Sequence, residues 1–170
     1  MALKRLPVLF FVAASLKPVT ANAAEASVSA SIEEENSYIS FQDEAYQNEF
    51  LRRVNNERAK AGLKPVQLGD SSHNSDAQER AEEIATVNSH VRPNGTKWYT
   101  VLSEYGVTDA AAGENAAWGS VSPEEVVNAW MNSEGHRANI LDPEARAMGV
   151  GYYYNSSSTW GHQWIQLFTK

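Results

Sequence analysis

Two histidines and one glutamate, each in a short polar segment, are the residues best suited to site chemistry. The segments are 89–95, 113–115 and 130–141. Neutral imidazoles such as those of His90 and His136 are good ligands for a divalent metal such as zinc, and a carboxylate such as Glu114 can ligate the metal or orient an imidazole. The same groups could serve as a general base on water. If the three segments converge, they form one polar cleft. The supporting polar residues are Arg92, Asn115, Ser133, Glu134, Arg137 and Asn139.

The other histidines are predicted to lie outside this site. His73 falls in the first turn of a predicted helix with no polar partner close in sequence, which favours an exposed or half-packed side chain. His162 alternates with Trp160 and Trp164, which is typical of a histidine in a core. Arg92 and Arg137 are available to pair with a carboxylate, and the candidate partners are Glu114 and Glu134.

The segment that carries His136 is predicted to follow a helix end. Ser122-Pro123-Glu124-Glu125 combines an N-cap serine, a proline at the first helical position and a glutamate three residues after the cap. This helix would carry Trp130 and Met131 into the core and stop at Gly135, because glycine tolerates the left-handed turn that ends many helices. His136 would then lie on a tight bend. The segments with His90 and Glu114 are likewise predicted to be loops.

Helices and a terminal hairpin make up the rest of the pattern. Helices are predicted over 43–61, ended by Gly62, and over 72–87, capped by Asp70 or Ser71. Segment 98–102 is too short for periodicity to decide between strand and helix. Strands over 147–154 and 159–168 flank a polar turn, and both faces of the second strand carry apolar residues. This pattern indicates a sheet covered by helices on both sides.

The N-terminal part is predicted to be processed. Residues 1–23 resemble an export signal, with Lys4 and Arg5 before an apolar run and the small-x-small pattern Ala21-Asn22-Ala23 at the end. Residues 24–41 form an acidic segment with few large apolar side chains, which predicts a disordered linker before a domain at 42–170. A membrane anchor is the alternative for this segment, but its apolar run, 6–16, is too short to span a bilayer. After cleavage we expect no stable membrane insertion.

Charge and cysteine content limit the classes of binding partner and the ways in which the domain can be stabilised. Loss of Lys4, Arg5 and Lys17 leaves 11 of the 14 basic residues against 21 acidic ones. A chain this acidic is not expected to bind nucleic acid. The absence of cysteine means that an exported domain must be stable through its core alone, and it favours a bacterial secreted protein.

Five motifs in order resemble the CAP superfamily, the cysteine-rich secretory protein, antigen 5 and pathogenesis-related 1 group, in a cysteine-free bacterial form. The resemblance covers 42–168. The motifs are Val54-Asn55-Asn56-Glu57-Arg58, Ser89-His90-Val91-Arg92-Pro93, Gly113-Glu114-Asn115, the segment from Trp130 to Leu141, and Met148-Gly149-Val150-Gly151. The resemblance implies an α+β fold, a three-layer α-β-α sandwich with a central antiparallel sheet and an exposed cleft.

In the family the cleft holds two histidines and two glutamates. The resemblance places the first histidine at His90, one glutamate at Glu114 and the second histidine at His136. The position of the second glutamate is Ser133 in this chain, with Glu134 beside it as a candidate substitute. Metal binding is known for some family members, so the resemblance raises the possibility of a divalent cofactor such as zinc.

Three functions remain open at this point. The chain could be a secreted module that binds an extracellular or cell-wall ligand, such as a lipid, a glycan or a peptide. It could be a metal-assisted hydrolase or peptidase that uses the same cleft. It could also be a non-catalytic interaction module.

Signal cleavage after Ala23 predicts that the secreted protein begins at Ala24. The check is the N-terminal mass of protein recovered from the culture medium. Secreted protein that retains Met1 would contradict the prediction.

Overall fold

A computed structural model describes residues 44–170, so the predicted signal peptide and the predicted linker lie outside the described residues. Within this part the chain forms five helices and four strands. The helices are α1 (Glu44–Lys60), α2 (Ser71–Ile84), α3 (Thr100–Glu104), α4 (Pro123–Met131) and α5 (Glu134–Ile140). The strands are β1 (Gln67–Leu68), β2 (Ala111–Trp118), β3 (Ala147–Asn155) and β4 (Gly161–Thr169). No helix among these residues is long and apolar enough to cross a membrane.

The strands form one sheet in the order β1-β3-β4-β2. The predicted hairpin is confirmed: β3 and β4 pair antiparallel from Ala147 opposite Thr169 to Asn155 opposite Gly161. Strand β2 pairs antiparallel with β4 and forms one edge of the sheet. The predicted antiparallel sheet therefore holds for three strands, whereas the two-residue β1 pairs with β3 in parallel.

Helices cover both faces of this sheet, which confirms the three-layer sandwich. The residues buried between the sheet and helices α1, α4 and α5 include Phe50, Val54, Val126, Trp130, Ile140, Met148, Trp164 and Phe168. Those buried on the other face, under α2 and α3, include Ala77, Ala81, Ile84, Val101, Ala116, Ile165 and Leu167. The alternation along β4 sends Trp164 to one core and Ile165 to the other, as the sequence predicts.

The backbone of helix α2 packs directly against the backbone of β3, with no side chain between them at Gly149 and Gly151. A Cβ atom on Gly149 would overlap the carbonyl oxygen of His73, and one on Gly151 would overlap that of Ala77. Glycine is required at both positions because the helix leaves no room for a side chain. Helix α2 begins as predicted, since the Asp70 side chain accepts hydrogen bonds from the backbone N–H groups of Ser72 and His73.

The predicted helix stop at Gly135 is wrong. Helix α4 ends at Met131, and the chain turns at Asn132 and at Ser133, whose backbone is extended. A second helix then begins at Glu134, so Gly135 lies inside α5 and is not among the described glycines with positive φ. Because the turn is made by residues that need no left-handed conformation, glycine is not used as a terminator here. The predicted stop at Gly62, with φ of 74°, is confirmed.

Ser122 caps α4 as predicted, since its hydroxyl accepts a hydrogen bond of 3.2 Å from the backbone N–H of Glu125. Replacement Ser122→Ala should lower the free energy of unfolding by about 1 kcal/mol, the usual effect of losing an N-cap. The measurement is chemical denaturation of both proteins. An unchanged midpoint with an unchanged slope would show that the cap does not stabilise the domain.

Candidate functional site

Glu114 lies in the middle of β2 and not in a loop, which corrects the sequence prediction for segment 113–115. Its side chain has 0% of its surface exposed. It projects to the same face as Ala116, toward α2. A charged group in this position must be paired, because burying an unpaired carboxylate is costly.

The pairing partner is Arg80 of α2, a residue that no motif in the sequence indicates. Its Nε donates to Glu114 Oε2 at 2.9 Å and its Nη2 to Glu114 Oε1 at 3.3 Å. Arg80 also pairs with Glu83, one turn along α2. Burial lowers the pKa of Arg80, but the hydrogen bonds to both carboxylates and their negative charge together outweigh this effect and raise it. The helical pattern of α2 places Arg80 on the side of the helix that faces the sheet. Its partner is 34 positions away in the sequence, and only the tertiary fold brings the two together.

Glu114 in turn holds His90. The distance from His90 Nδ1 to Glu114 Oε1 is 2.6 Å. Because the carboxylate bonded to Arg80 accepts hydrogen bonds, Nδ1 is the donor and Nε2 carries the free lone pair. The hydrogen bond to Glu114 raises the pKa of His90 above its ordinary value, although partial burial works against this shift. The His90 side chain remains 59% exposed, so its free nitrogen is open to a ligand.

His136 approaches from the opposite face of β2. It lies on α5, and its carbonyl oxygen accepts a hydrogen bond of 3.1 Å from Asn115 Nδ2. Asn139, one turn further, donates to the Glu114 carbonyl oxygen at 3.1 Å and to Asn115 Oδ1 at 2.8 Å. These bonds fix α5 against the edge strand. Burial lowers the pKa of His136, and the charge of His90 lowers it further, so the two imidazoles lie within electrostatic range of each other.

The remaining predicted residues have different places. Arg92 is buried but pairs with Glu83 and Glu104, so its predicted pairing with Glu114 is wrong. Ser133 is at the N-cap position of α5 without a side-chain capping bond. Glu134 is exposed and lies two positions before His136, and side chains at that spacing do not share a helix face. Arg137 is exposed and has no ion pair recorded within residues 44–170.

The prediction for His73 is wrong. This histidine is 3% exposed, and its Nδ1 lies 3.1 Å from both carboxylate oxygens of the buried Asp76. The partner is three positions along α2, a spacing that places both side chains on one helix face and could have indicated the pair. His162 is partly buried, with Nδ1 2.8 Å from the Tyr152 hydroxyl.

The chemistry of the site follows from these contacts. Glu114 orients the His90 imidazole on one face of β2, and Asn115 holds the backbone of His136 on the other face, with the two imidazoles within electrostatic range of each other. Among residues 44–170 no three His, Cys, Asp or Glu side chains are grouped so as to hold a metal ion. Both oxygens of Glu114 are already bonded to Arg80, and one of them also to His90, so this carboxylate is placed to orient an imidazole and not to ligate.

Residues 51–168 match the family model for CAP, the cysteine-rich secretory protein family. The chain belongs to this family. The resemblance inferred from the five motifs is thereby confirmed. This CAP domain is also 41% identical over 123 residues to the uncharacterized protein YkwD of Bacillus subtilis (strain 168). The aligned region is 71% of this chain and 47% of that protein, so the chain spans about half the length of this curated relative.

Solved structures share the fold. An extracellular protein of Bacillus anthracis that contains an SCP domain has 25% identity and a TM-score of 0.63, over 72% of this chain and 39% of that one. An outer surface protein of Borrelia burgdorferi has 20% identity and a TM-score of 0.64, over 75% of this chain and 93% of that one. At 20% identity the latter comparison shows the fold alone.

Replacement Glu114→Gln should lower the pKa of His90, because an amide cannot stabilise the imidazolium as a carboxylate does. In the wild type, the interaction with Glu114 stabilises the fold below the ordinary histidine value and is lost as pH rises through the higher pKa of His90. The measurement is an NMR titration of the imidazole protons. His162, which does not contact Glu114, is the internal reference. An unchanged His90 pKa in a folded variant would contradict the assignment.

Proposed function

We propose that the His90–His136 face is a divalent-cation site in an exported binding protein. His90 through Nε2 and His136 supply two neutral imidazole ligands, and Glu114 orients His90. The observation that carries this proposal is the 2.6 Å contact between His90 Nδ1 and a carboxylate with no exposed surface. A histidine that ligates through one nitrogen commonly donates from the other to such a carboxylate.

The residues fit a zinc-type ion through their donor chemistry. Imidazole nitrogen suits borderline metals, and two protein ligands leave coordination positions open. A bound ion would act there as a Lewis acid for an anionic group of an extracellular or cell-wall ligand. The chain itself is acidic, and a cation between the two imidazoles would compensate for that charge where the ligand binds. A lipid, a glycan or a peptide that carries an anionic group is compatible with this chemistry.

Export is part of the proposal. It is supported by the signal-like residues 1–23 and by the names of two structural relatives, one described as extracellular and the other as an outer surface protein. The acidic segment 24–41 would then separate the CAP domain from the cleavage site.

Metal-assisted hydrolysis is the second candidate, favoured by the same Glu114–His90 contact. A metal ion held by the two imidazoles and with open positions would bind a water and lower its pKa, and Glu114, which accepts from His90 Nδ1, would raise the basicity of that ligand. A secreted hydrolase would turn over a peptide or ester substrate in a zinc-dependent manner, whereas a binding protein would retain zinc without turnover.

Zinc titration by calorimetry on the purified domain at neutral pH is the direct test. The wild type should show saturable binding, and His90→Ala and His136→Ala should each abolish the heat. Zinc affinity should fall as pH falls, with the decline starting above the ordinary histidine value of about 6.5, because His90 must lose its proton to ligate and its pKa is raised.

The matched control is His162→Ala. It removes a partly buried imidazole whose hydrogen-bond partner is the Tyr152 hydroxyl and not Glu114. Its zinc isotherm should equal that of the wild type. A wild type without saturable zinc binding refutes the metal site. A loss in His162→Ala as large as in His136→Ala shows that the site is elsewhere.

A further inference from the structure

The guanidinium group of Arg80 connects three elements around His90. Arg80 is 0% exposed. Its Nε and Nη2 donate to Glu114 on β2, Nη2 also donates to the Ser89 carbonyl oxygen at 3.2 Å, and Nη1 pairs with Glu83 on its own helix. One rigid planar group therefore fixes a strand, a loop and a helix relative to one another.

Two of these acceptors define where His90 lies. The Ser89 carbonyl belongs to the peptide bond that leads into His90, so Arg80 holds the backbone that carries the imidazole. Glu114 Oε1 accepts from both Arg80 Nη2 and His90 Nδ1, so Arg80 also holds the group to which the imidazole donates. The backbone and the side-chain partner of His90 are thus fixed by the same cation.

We propose that Arg80 is the positioning residue of the site: it holds the Glu114 carboxylate and the Ser89 carbonyl in a fixed relation, so that His90 donates from Nδ1 and presents Nε2. The inference rests on the proposed function in treating Nε2 as the ligating atom, but it concerns the metal-free protein. Arg80 is fully buried, so it is not available to contact a ligand directly. It acts through Glu114 and the loop.

The geometry requires arginine and not only positive charge. Arginine presents donors in a fixed fork that matches a carboxylate and leaves further donors for other acceptors, whereas a lysine ammonium is a point charge on a flexible stem. Lysine at position 80 could neutralise Glu114 but could not hold its orientation and the Ser89 carbonyl together.

Arg92 provides a matched comparison. It is also buried, it also pairs with Glu83, and it lies in the same loop as His90. Its other partners are Glu104 at 2.6 Å and the Thr100 hydroxyl at 3.1 Å, and no contact to Glu114 or Ser89 is recorded for it in the described part of the chain. Arg92 therefore braces the loop against α3 without setting the direction of the imidazole.

The test is the tautomer of His90 in metal-free protein, read from long-range proton–nitrogen NMR correlations at a pH where the imidazole is neutral. The wild type should show one dominant tautomer, protonated at Nδ1. In Arg80→Lys the signals should average toward a mixture of the two tautomers, whereas Arg92→Lys should retain the wild-type pattern. His162, with its Tyr152 partner, reports whether the fold is intact in each variant.

Two outcomes would overturn the proposal. One is a folded Arg80→Lys protein in which His90 keeps the wild-type tautomer. The other is an equal loss in Arg92→Lys, which would reduce Arg80 to general loop bracing. If Arg80→Lys does not fold, the NMR spectrum of the wild type provides the test. Arg80 should show separate Nη signals from a slowly rotating guanidinium, because its two Nη groups have different acceptors. A rapidly averaging guanidinium would refute the positioning role of Arg80.

The metal-free readout separates this inference from the proposed function. Tautomer loss in Arg80→Lys, together with a wild type that binds no zinc, leaves Arg80 as the positioning residue and refutes the metal site. Zinc binding by the wild type, together with an unchanged tautomer in Arg80→Lys, supports the metal site and refutes the role of Arg80. When both hold, zinc affinity should fall in Arg80→Lys and stay near the wild-type value in Arg92→Lys.

Discussion

The burial of the Glu114 carboxylate is the constraint on which the site depends. Transfer of such a charge into a protein interior costs several kcal/mol unless a partner of opposite charge accompanies it. Arg80 is that partner, and because it is buried as well, it needs Glu83 in addition. Glu83 in turn pairs with Arg92, which reaches the half-exposed Glu104. Charges of alternating sign therefore extend from the buried Glu114 on the edge strand β2 to the surface, and the loop that carries His90 is held between them.

Adjacent positions of one edge strand organise the two halves of the site. Side chains alternate across a strand, so Glu114 faces α2 and Asn115 faces α5. Glu114 accepts a hydrogen bond from His90, which lies on a loop, and Asn115 donates one to the carbonyl oxygen of His136. The imidazoles consequently experience different surroundings: the pKa of His90 is raised by a hydrogen-bonded carboxylate, whereas the pKa of His136 is lowered by burial. One imidazole therefore takes up a proton more readily than a free histidine, and the other resists protonation.

Much of the fold could be predicted from the sequence, because its signals are local. The cap at Ser122, the stop at Gly62 and the alternation of β4 each depend on a few neighbouring residues. The break between α4 and α5 at Ser133 could not be predicted, because the turn before it uses backbone conformations that most residues adopt. Segment 113–115 resembles a loop in sequence because its small and polar residues lack the apolar alternation of a strand, although it forms part of β2. The role of Arg80 could not be predicted, because its partner Glu114 lies on another element and only tertiary structure brings the two together.

The close packing of α2 on β3 has an effect beyond the hairpin. Since no side chain separates helix and strand at Gly149 and Gly151, the height of the helix above the sheet is set by contact between backbones. The arginine side chain has a fixed reach, and it spans the gap to a carboxylate two strands away only at that height. Substitutions at Gly149 or Gly151, which lie away from His90 in the sequence and the sheet, would therefore displace Arg80 from Glu114 and change the electrostatic surroundings of His90.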